Sequence, residues 1–303
     1  MSLKASIIIV TYGARSVVRD CLESVQLEND GSLEVIVIDN ASPDGTAEMI
    51  TKEFPTIHLV ANSTNVGFSP ANNQGMALAT APMIMLLNPD TVVRPGGISQ
   101  WIEAHRSSGA TISGPRLLNV DGSLQPSAWK VPGLWNSLLE LFSLHRISGV
   151  GRYALQRFAT DFEPGFVSGA AMLFHRKVFE GSGGLDPEMF WMEDVDLCVR
   201  VRGSGGRVQF LHGPEIVHLG GESSKKNMDR VISNQLISRI KFARKHSGVL
   251  SIGGLIVVIY VHVITRTLAF GLVGMFRNEP RSQAYRFTFN KLGRYLFKND
   301  RSI

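Results

Sequence analysis

Apolar residues in the first half of the chain come as short unbroken runs, separated by stretches with helical spacing. Ala5–Thr11 and Leu33–Asp39 carry such runs, the second through Val35-Ile36-Val37-Ile38. Continuous runs of this kind suit parallel strands covered on both faces. Between them, Ala14–Leu27 sets Val17, Val18, Leu22 and Val25 on one face of a predicted helix. The alternation continues with helix over Asp44–Phe54, strand over Ile57–Ala61, helix over Ser69–Ala79, strand over Met83–Leu87 and helix from Pro95 to about Arg106. Successive strand–helix units predict an α/β fold with a doubly wound, mostly parallel sheet. Ala110–Pro115 adds a strand, and Asp121-Gly122 reads as a tight hairpin turn.

From Trp129 to Glu163 the periodicity fades into scattered Pro, Gly and basic residues around one predicted helix, Leu134–Leu144, and the stretch reads as a mobile loop. Order returns at Phe166–His175, where Gly169-Ala170-Ala171 permits close backbone approach. A short helix over Asp194–Arg202, strands over Val208–Leu211 and Glu215–Leu219, and an amphipathic helix over Met228–His246 follow. These elements predict one domain over residues 1–246 and a helical appendage over 247–303.

The appendage differs in kind. Val249–Thr265 holds no Asp, Glu, Lys or Arg, and Arg266 separates it from a second apolar stretch, Thr267–Phe276. Arg277, Arg281, Arg286, Lys291, Arg294, Lys298 and Arg301 follow, opposed only by Glu279 and Asp300. Basic residues beside an apolar stretch suit an anionic membrane surface, each contributing roughly 1 kcal/mol. Gly253, Gly254, His262 and Arg266 dilute the segment, which favours a monotopic or re-entrant anchor over a true span. A buried core helix is the bland alternative.

Composition sharpens this picture in three places. The 303 residues are 44% hydrophobic and 19% charged, enough for one substantial core plus an appendage. The net charge of +5 points to an anionic partner. It sits beside an apolar stretch rather than interleaved with aromatic residues over a groove, which argues against nucleic acid. Cys21 and Cys198 give neither a disulfide framework nor zinc spacing, and the chain opens on a strand without a signal-peptide pattern. The expected location is therefore the cytoplasmic face of a membrane. A homo-oligomer is left open.

Polar clusters fall at the ends of the predicted strands: Thr11-Tyr12-Gly13, Asp39-Asn40-Ala41-Ser42, Asn65-Val66-Gly67-Phe68 and Asn88-Pro89-Asp90. In an open α/β sheet the ligand crevice lies outside the carboxyl ends of the strands, so these describe one nucleotide-sized polar site. Pro89 stops its strand and leaves Asp90 just beyond, where a carboxylate either caps the next helix or holds a hard divalent cation against phosphate. No Gly-x-Gly-x-x-Gly follows the first strand and no Gly-x-x-x-x-Gly-Lys-Ser/Thr is present, which argues against a dinucleotide oxidoreductase and against a P-loop NTPase. Farther on, Glu193, Asp194 and Asp196 crowd a helix N-terminus. They read as helix capping, as an Asp196–Arg200 pair, or as a general base that deprotonates a sugar hydroxyl. Trp191 reads either as a stacking platform or as core, and His218 as a metal ligand or a structural histidine.

Taken in order, Asn65-Val66-Gly67-Phe68 with Asn72-Asn73-Gln74-Gly75, Leu87-Asn88-Pro89-Asp90-Thr91, and Gly183-Gly184-Leu185-Asp186 leading into Trp191-Met192-Glu193-Asp194-Val195-Asp196 resemble the family 2 glycosyltransferases of the glycosyltransferase-A fold. The likeness runs from about Ser6 to Lys245 and is greatest to a bacterial rhamnosyltransferase-like branch. It implies that Thr11, Tyr12 and Asp39 hold the nucleotide base, Asp39 accepting the imide N–H shared by uracil and thymine, with Asn40 and Asn88 also on the donor side. Gly67 with Asn72 or Asn73 would line the donor. Asp90 matches the last residue of the family's Asp-x-Asp metal motif, whereas Asn88 replaces its first, which either weakens the hold on Mg²⁺ or Mn²⁺ or leaves the ion held by Asp90, His218 and the diphosphate. Asp194 would be the base of an inverting displacement, with Glu193 and Trp191 on the acceptor side. The donor so implied is dTDP-L-rhamnose, with UDP-galactofuranose, UDP-N-acetylglucosamine and UDP-glucose as alternatives. The implied acceptor is a polyprenyl-diphosphate-linked saccharide. A non-catalytic scaffold with a decayed metal motif is the remaining alternative.

Overall fold

A computed structural model describes residues 2–141, 151–220, 228–274 and 280–297. The chain divides into two compact units: Met1–Val131, Tyr153–Glu188 and Glu193–Gly220 form the first, and Pro132–Arg152, Met189–Met192 and Gly221–Ile303 the second.

The first unit is built on a sheet of β1 (Ala5–Thr11), β2 (Leu33–Asp39), β3 (His58–Ala61), β4 (Met83–Leu87), β5 (Thr91–Val93), β6 (Ile112–Leu118), β7 (Leu124–Gln125), β10 (Ala171–His175) and β11 (Val208–His218). Spatial order is β3-β2-β1-β4-β10-β6-β11-β5, with β7 paired to β6. As the continuous apolar runs predict, β3, β2, β1 and β4 are parallel, in a register that sets Thr11 beside Asp39 and Ile9 beside Leu87. Side chains of a strand alternate between faces. Ile7 and Ile9 enter one core with Val18 and Leu22 of α1 (Arg15–Glu28) and Met49 and Ile50 of α2 (Thr46–Glu53). Ile8 and Val10 enter the other with Ala71 and Met76 of α3 (Phe68–Leu78). Burying each such side chain contributes roughly 1.5–3 kcal/mol.

The doubly wound, mostly parallel sheet is as expected, with β10 running antiparallel between β4 and β6 at its centre. Several element boundaries are corrected. The expected strand Phe166–His175 breaks into β9 (Phe166–Val167) and β10. The two expected strands after Val208 are one strand, with a register shift between Leu211 and Glu215 that absorbs Gly213-Pro214. The helix expected from Pro95 is α4 (Gly97–Ser108), whose N-cap is Gly96 at φ +79°, so Asp90 does not cap it. The weakly patterned stretch is partly packed rather than loop throughout. A short 3₁₀ turn at Leu155–Ala159 carries buried Phe158, whose ring lies 5.0 Å from Phe210 and 5.6 Å from Phe162. The chain leaves the main sheet through β8 (Ala128–Trp129) and returns through β9, a two-stranded ladder pairing Ala128 with Val167 and Trp129 with Phe166.

The second unit holds α5 (Leu134–Leu141), α8 (Met228–His246), α9 (Val249–Gly274) and α10 (Pro280–Phe297). Residues 142–144 of the predicted first helix, and 275–276 of the apolar segment, lie outside the described residues. Leu236, Ile237 and Ile240 of α8 share a core with Leu255, Ile259 and Val263 of α9 and Leu292 and Tyr295 of α10. The second unit therefore takes in Met228–His246, which the sequence reading assigned to the domain ending at 246. The apolar segment is one unbroken helix over its described length, not a helical hairpin. Val249–Leu272 is long and apolar enough to cross a membrane by length and composition. Leu255, Ile259 and Val263 are buried, whereas Val257, Val261, Ile264, Leu268 and Leu272 form an exposed stripe at helical spacing.

Candidate active site

Because β1, β2 and β4 are parallel and β10 is antiparallel to β4, one edge of the sheet collects their three carboxyl ends and the amino end of β10. The predicted polar clusters are carried on that edge. Thr11 and Asp39 are buried side by side, the Thr11 hydroxyl donating to Asp39 Oδ1 at 2.8 Å. Asp39 Oδ2 accepts the Ser42 amide at 3.0 Å, across a turn in which Ala41 takes φ +62°. Each carboxylate oxygen keeps lone-pair capacity for one more donor. Tyr12 is 53% exposed beside them, available to a planar ligand.

Asn40 organises the next loop. Its amide nitrogen donates to Asn65 Oδ1 (2.9 Å) and to the Gly67 carbonyl (3.2 Å), and its oxygen accepts from the Val66 amide (3.0 Å) and from Asn62 (3.2 Å). Gly67 stands at φ +95° before α3, a conformation that favours glycine. Asn72 is buried and donates to the Phe68 carbonyl at 3.0 Å. Asn73 holds the Leu185 backbone from both sides, accepting its N–H at 2.9 Å and donating to its C=O at 2.8 Å. These two side chains are engaged in holding α3 and the Gly183-Gly184-Leu185 segment.

After β4, the Asn88 carbonyl accepts the Thr91 hydroxyl at 2.7 Å, and the Asn88 amide donates to the Ala170 carbonyl at 2.9 Å. Asp90 Oδ1 lies 3.3 Å from His218 Nε2, both side chains largely buried. The pairing of β11 with β5, His218 opposite Thr91, brings them together. His218 Nδ1 lies 2.7 Å from Gln125 Oε1. Sequence reasoning missed Gln125: a glutamine in a two-residue edge strand carries no chemical signal, and only the Asp121-Gly122 hairpin register pointed to its place. Two ligand atoms about 2.1 Å from one cation and at right angles to it lie about 3.0 Å apart, so the Asp90–His218 spacing suits neighbouring ligands. Among the described residues no three His, Cys, Asp or Glu side chains cluster as a metal cage.

Glu193 and Asp194 open α7 (Glu193–Gly203). Asp194 Oδ2 accepts the Gly169 amide at 3.0 Å and Oδ1 the Val195 amide at 2.8 Å. A Cβ on Gly169 would lie 3.3 Å from Asp194 Cβ, the close approach its sequence anticipated. Burial pushes the Asp194 carboxyl above its ordinary value, against the two amide hydrogen bonds. Asp196 is fully buried and paired to Arg200 at 2.8 Å, which removes it from the candidate bases. Trp191 belongs to the second unit, 41% exposed at φ +77°, with its ring 6.0 Å from Phe190. Such a backbone is costly for a bulky residue, by about 1–3 kcal/mol. Cys21 and Cys198 are free, buried thiols pushed up to about 12 by burial, so neither is a nucleophile.

The fold meets its counterparts in known proteins. Residues 6–183 match the family model described as glycosyl transferase family 2. The chain belongs to that family. It is 27% identical over 265 residues, 80% of this chain and 85% of the relative, to the N-acetylglucosaminyl-diphospho-decaprenol L-rhamnosyltransferase of Mycobacterium tuberculosis. It is 25% identical over 207 residues, 65% of this chain and 61% of the relative, to the low-salt glycan biosynthesis hexosyltransferase Agl10 of Haloferax volcanii. Among solved structures, the mannosyltransferase PcManGT from Pyrobaculum calidifontis, in complex with GDP-Man and Mn²⁺, covers 99% of this chain and 89% of its own at TM-score 0.59 and 14% identity. The family 2 chain is thus a glycosyltransferase with a glycosyltransferase-A type fold.

Proposed function

We propose that this glycosyltransferase moves L-rhamnose from dTDP-L-rhamnose to a hydroxyl of a polyprenyl-diphosphate-linked saccharide, with inversion at the anomeric carbon. The observation that carries the chemistry is Asp194, a single carboxylate anchored by the Gly169 and Val195 amides and biased by burial toward holding a proton. Such a group takes the proton of the acceptor hydroxyl as its oxygen attacks. The new C–O bond forms as the bond from the anomeric carbon to the diphosphate breaks, and the nucleoside diphosphate leaves. Glu193 and Trp191 serve the acceptor side. Asp39, with Thr11 and Tyr12, reads the pyrimidine, and Asn40 and Gly67 shape the donor loop. The rhamnosyl donor and lipid-linked acceptor rest on the mycobacterial relative, whose name states that chemistry.

Asp90 and His218 would hold a divalent cation, which when bound neutralises charge building on the leaving diphosphate. With Asn88 in place of a carboxylate, the protein supplies one charge fewer. An imidazole ligand favours Mn²⁺ over the harder, oxygen-seeking Mg²⁺. For the second unit, the exposed stripe on α9, with exposed Arg281, Arg286 and Arg294 on α10, supports docking on an anionic cytoplasmic membrane surface.

The test is a donor panel read by thermal shift and hydrolysis: dTDP-rhamnose, UDP-galactofuranose, UDP-N-acetylglucosamine and UDP-glucose, each with and without Mn²⁺ or Mg²⁺. Selective, metal-dependent stabilisation by dTDP-rhamnose is expected. Preference for a UDP-sugar would overturn the rhamnosyl assignment, and silence toward every donor would overturn catalysis.

A further inference from the structure

Hydrogen-bond polarity around the β6–β7 hairpin determines which nitrogen of His218 carries its proton. The chain of partners starts at Asp121, a carboxylate kept below its ordinary range by the Ser123 hydroxyl and able only to accept. It accepts the Ser123 amide at 2.9 Å and the Ser123 hydroxyl at 2.6 Å. Having given its one proton, that hydroxyl oxygen accepts from Asn119 Nδ2 at 2.9 Å. Asn119 Oδ1 is therefore turned toward Gln125 and accepts from its Nε2 at 3.0 Å. The same Nε2 donates to the His218 carbonyl at 3.2 Å. Both constraints put the Gln125 oxygen, not its nitrogen, against His218 Nδ1 at 2.7 Å. A carbonyl oxygen only accepts, so Nδ1 carries the hydrogen. In a neutral imidazole Nε2 is then a bare lone pair, and it faces Asp90 Oδ1 at 3.3 Å. Two lone pairs held face to face are joined only by a positive centre, a proton on Nε2 or a cation.

We infer that Gln125 is a positioning residue: through the Asp121–Ser123–Asn119–Gln125 relay it holds His218 as the Nδ1–H tautomer and so presents Nε2, with Asp90, as a preformed ligand pair for a divalent cation. The inference rests on the metal-assisted reading of the site. The relay lies outside the strand-end clusters and, among the described residues, reaches the site through His218, at its imidazole and its carbonyl. Its frame is the hairpin itself, closed by the Asn119 amide on the Ser123 carbonyl (2.8 Å) and the Gly122 amide on the Asn119 carbonyl (2.9 Å), with Gly122 at φ +80°. The register then sets Gln125 opposite Leu117, one step from the Leu118–Val217 pairing beside His218. Outer-shell acceptors on metal-bound imidazoles act in this way, and their removal weakens metal affinity by about 10- to 100-fold.

The test uses the full chain, with Mn²⁺ alone as probe, titrated and followed by the electron paramagnetic resonance of the free ion. Gln125→Leu should weaken Mn²⁺ binding about 10- to 100-fold. Gln125→Glu keeps one carboxylate oxygen as acceptor on Nδ1 while Asn119 turns over to donate to the other and the Ser123 hydroxyl turns from Asp121 to the Asn119 oxygen, and it should bind within a few-fold of wild type or tighter. Nitrogen-15 spectra of labelled histidine, taken metal-free on the neutral imidazole, should show His218 as the Nδ1–H form in wild type and Gln125→Glu. The Nε2–H form should grow in Gln125→Leu. An Nε2–H signal in wild type, or Mn²⁺ affinity unchanged in Gln125→Leu, would overturn the role of Gln125 while leaving the metal reading intact. Mn²⁺ affinity equal in wild type and in Asp90→Ala and His218→Ala would overturn the ligand pair itself, whatever the tautomer.

Discussion

Asp39→Asn separates base recognition from folding. The Ser42 amide can only donate, so the new side chain must turn its oxygen to that N–H, in place of the 3.0 Å contact to Oδ2. Its NH₂ then faces the Thr11 oxygen, 2.8 Å from Oδ1 in the wild type, and that hydroxyl can rotate to accept. Both internal hydrogen bonds survive with one reversed, so the stability cost should stay within about 1 kcal/mol, or under about 4 °C in Tm. Toward the nucleotide the effect is larger. The imide N–H of uracil or thymine loses a charged acceptor and meets a donor, which costs about 1.5–3 kcal/mol. That is about a 10- to 150-fold rise in Kd. Cytosine, whose N3 accepts, should gain relative to uracil. Calorimetric titration with UDP, dTDP and CDP, beside thermal unfolding without ligand, reads both halves. Equal weakening of all three nucleotides, or no weakening of UDP and dTDP, would refute Asp39 as the base reader. A collapse of Tm would refute the hydrogen-bond reversal.

Asp194→Asn should abolish transfer while leaving donor Kd within about threefold, since one donor and one acceptor replace two acceptors away from the nucleotide contacts; substantial residual turnover would remove Asp194 as base. Burial raises the Asp194 pKa in the folded protein, so kcat should fall on the acid side with a midpoint above the ordinary carboxylate value of about 3.9. The same sign means that stability due to this group increases as pH drops from that raised pKa toward the unfolded value, where the buried charge disappears. A kcat profile flat through that range would contradict the assignment. Gly169→Ala adds a methyl 3.3 Å from Asp194 Cβ and should displace the base by a few tenths of an ångström; a roughly tenfold or larger loss of kcat with nucleotide affinity unchanged is expected from misplacement of that order. Leu268→Asp with Leu272→Asp alters only the exposed stripe of α9 and should release the enzyme from anionic liposomes in a flotation assay; equal flotation would show that the stripe is not the docking face.

What could be read from the sequence was what repeats along it. Unbroken runs such as Val35-Ile36-Val37-Ile38 announce parallel strands because both faces are covered, and their ends mark one ligand edge. Direction is another matter. The five residues Ala171–His175 form an apolar run with no vector, and only the finished sheet, with β4 and β6 already in place, makes β10 antiparallel. Phe158 escaped notice because a 3₁₀ turn has neither the helical nor the strand period, and Phe162 because a single bridge to Phe210 has no period at all. Asp90 and His218 were each visible as candidates, but their meeting depends on β5 pairing with β11 from the far half of the chain. Gln125 was invisible for a chemical reason: an amide side chain is ambivalent, donor and acceptor at once, and its role is set by which atom its neighbours leave it.

The β8–β9 ladder has a consequence for how this scaffold can be diversified. It closes a neck where the chain departs at Trp129 and comes back at Phe166, with Gly165 packed so tightly on the Val131 backbone that no side chain fits there. Within the loop so closed, Tyr153–Pro164 stays bound to the sheet, Phe162 bridging to Phe210 with Phe158 buried beside it, whereas Pro132–Arg152 belongs to the second unit. The stretch 132–152 can therefore lengthen, shorten or be exchanged without disturbing the register of β1, β2 and β4 that holds Asp39 and Asp90. Chimaeras spliced within 132–152, with Phe158, Phe162 and Gly165 retained, would keep the donor platform unchanged.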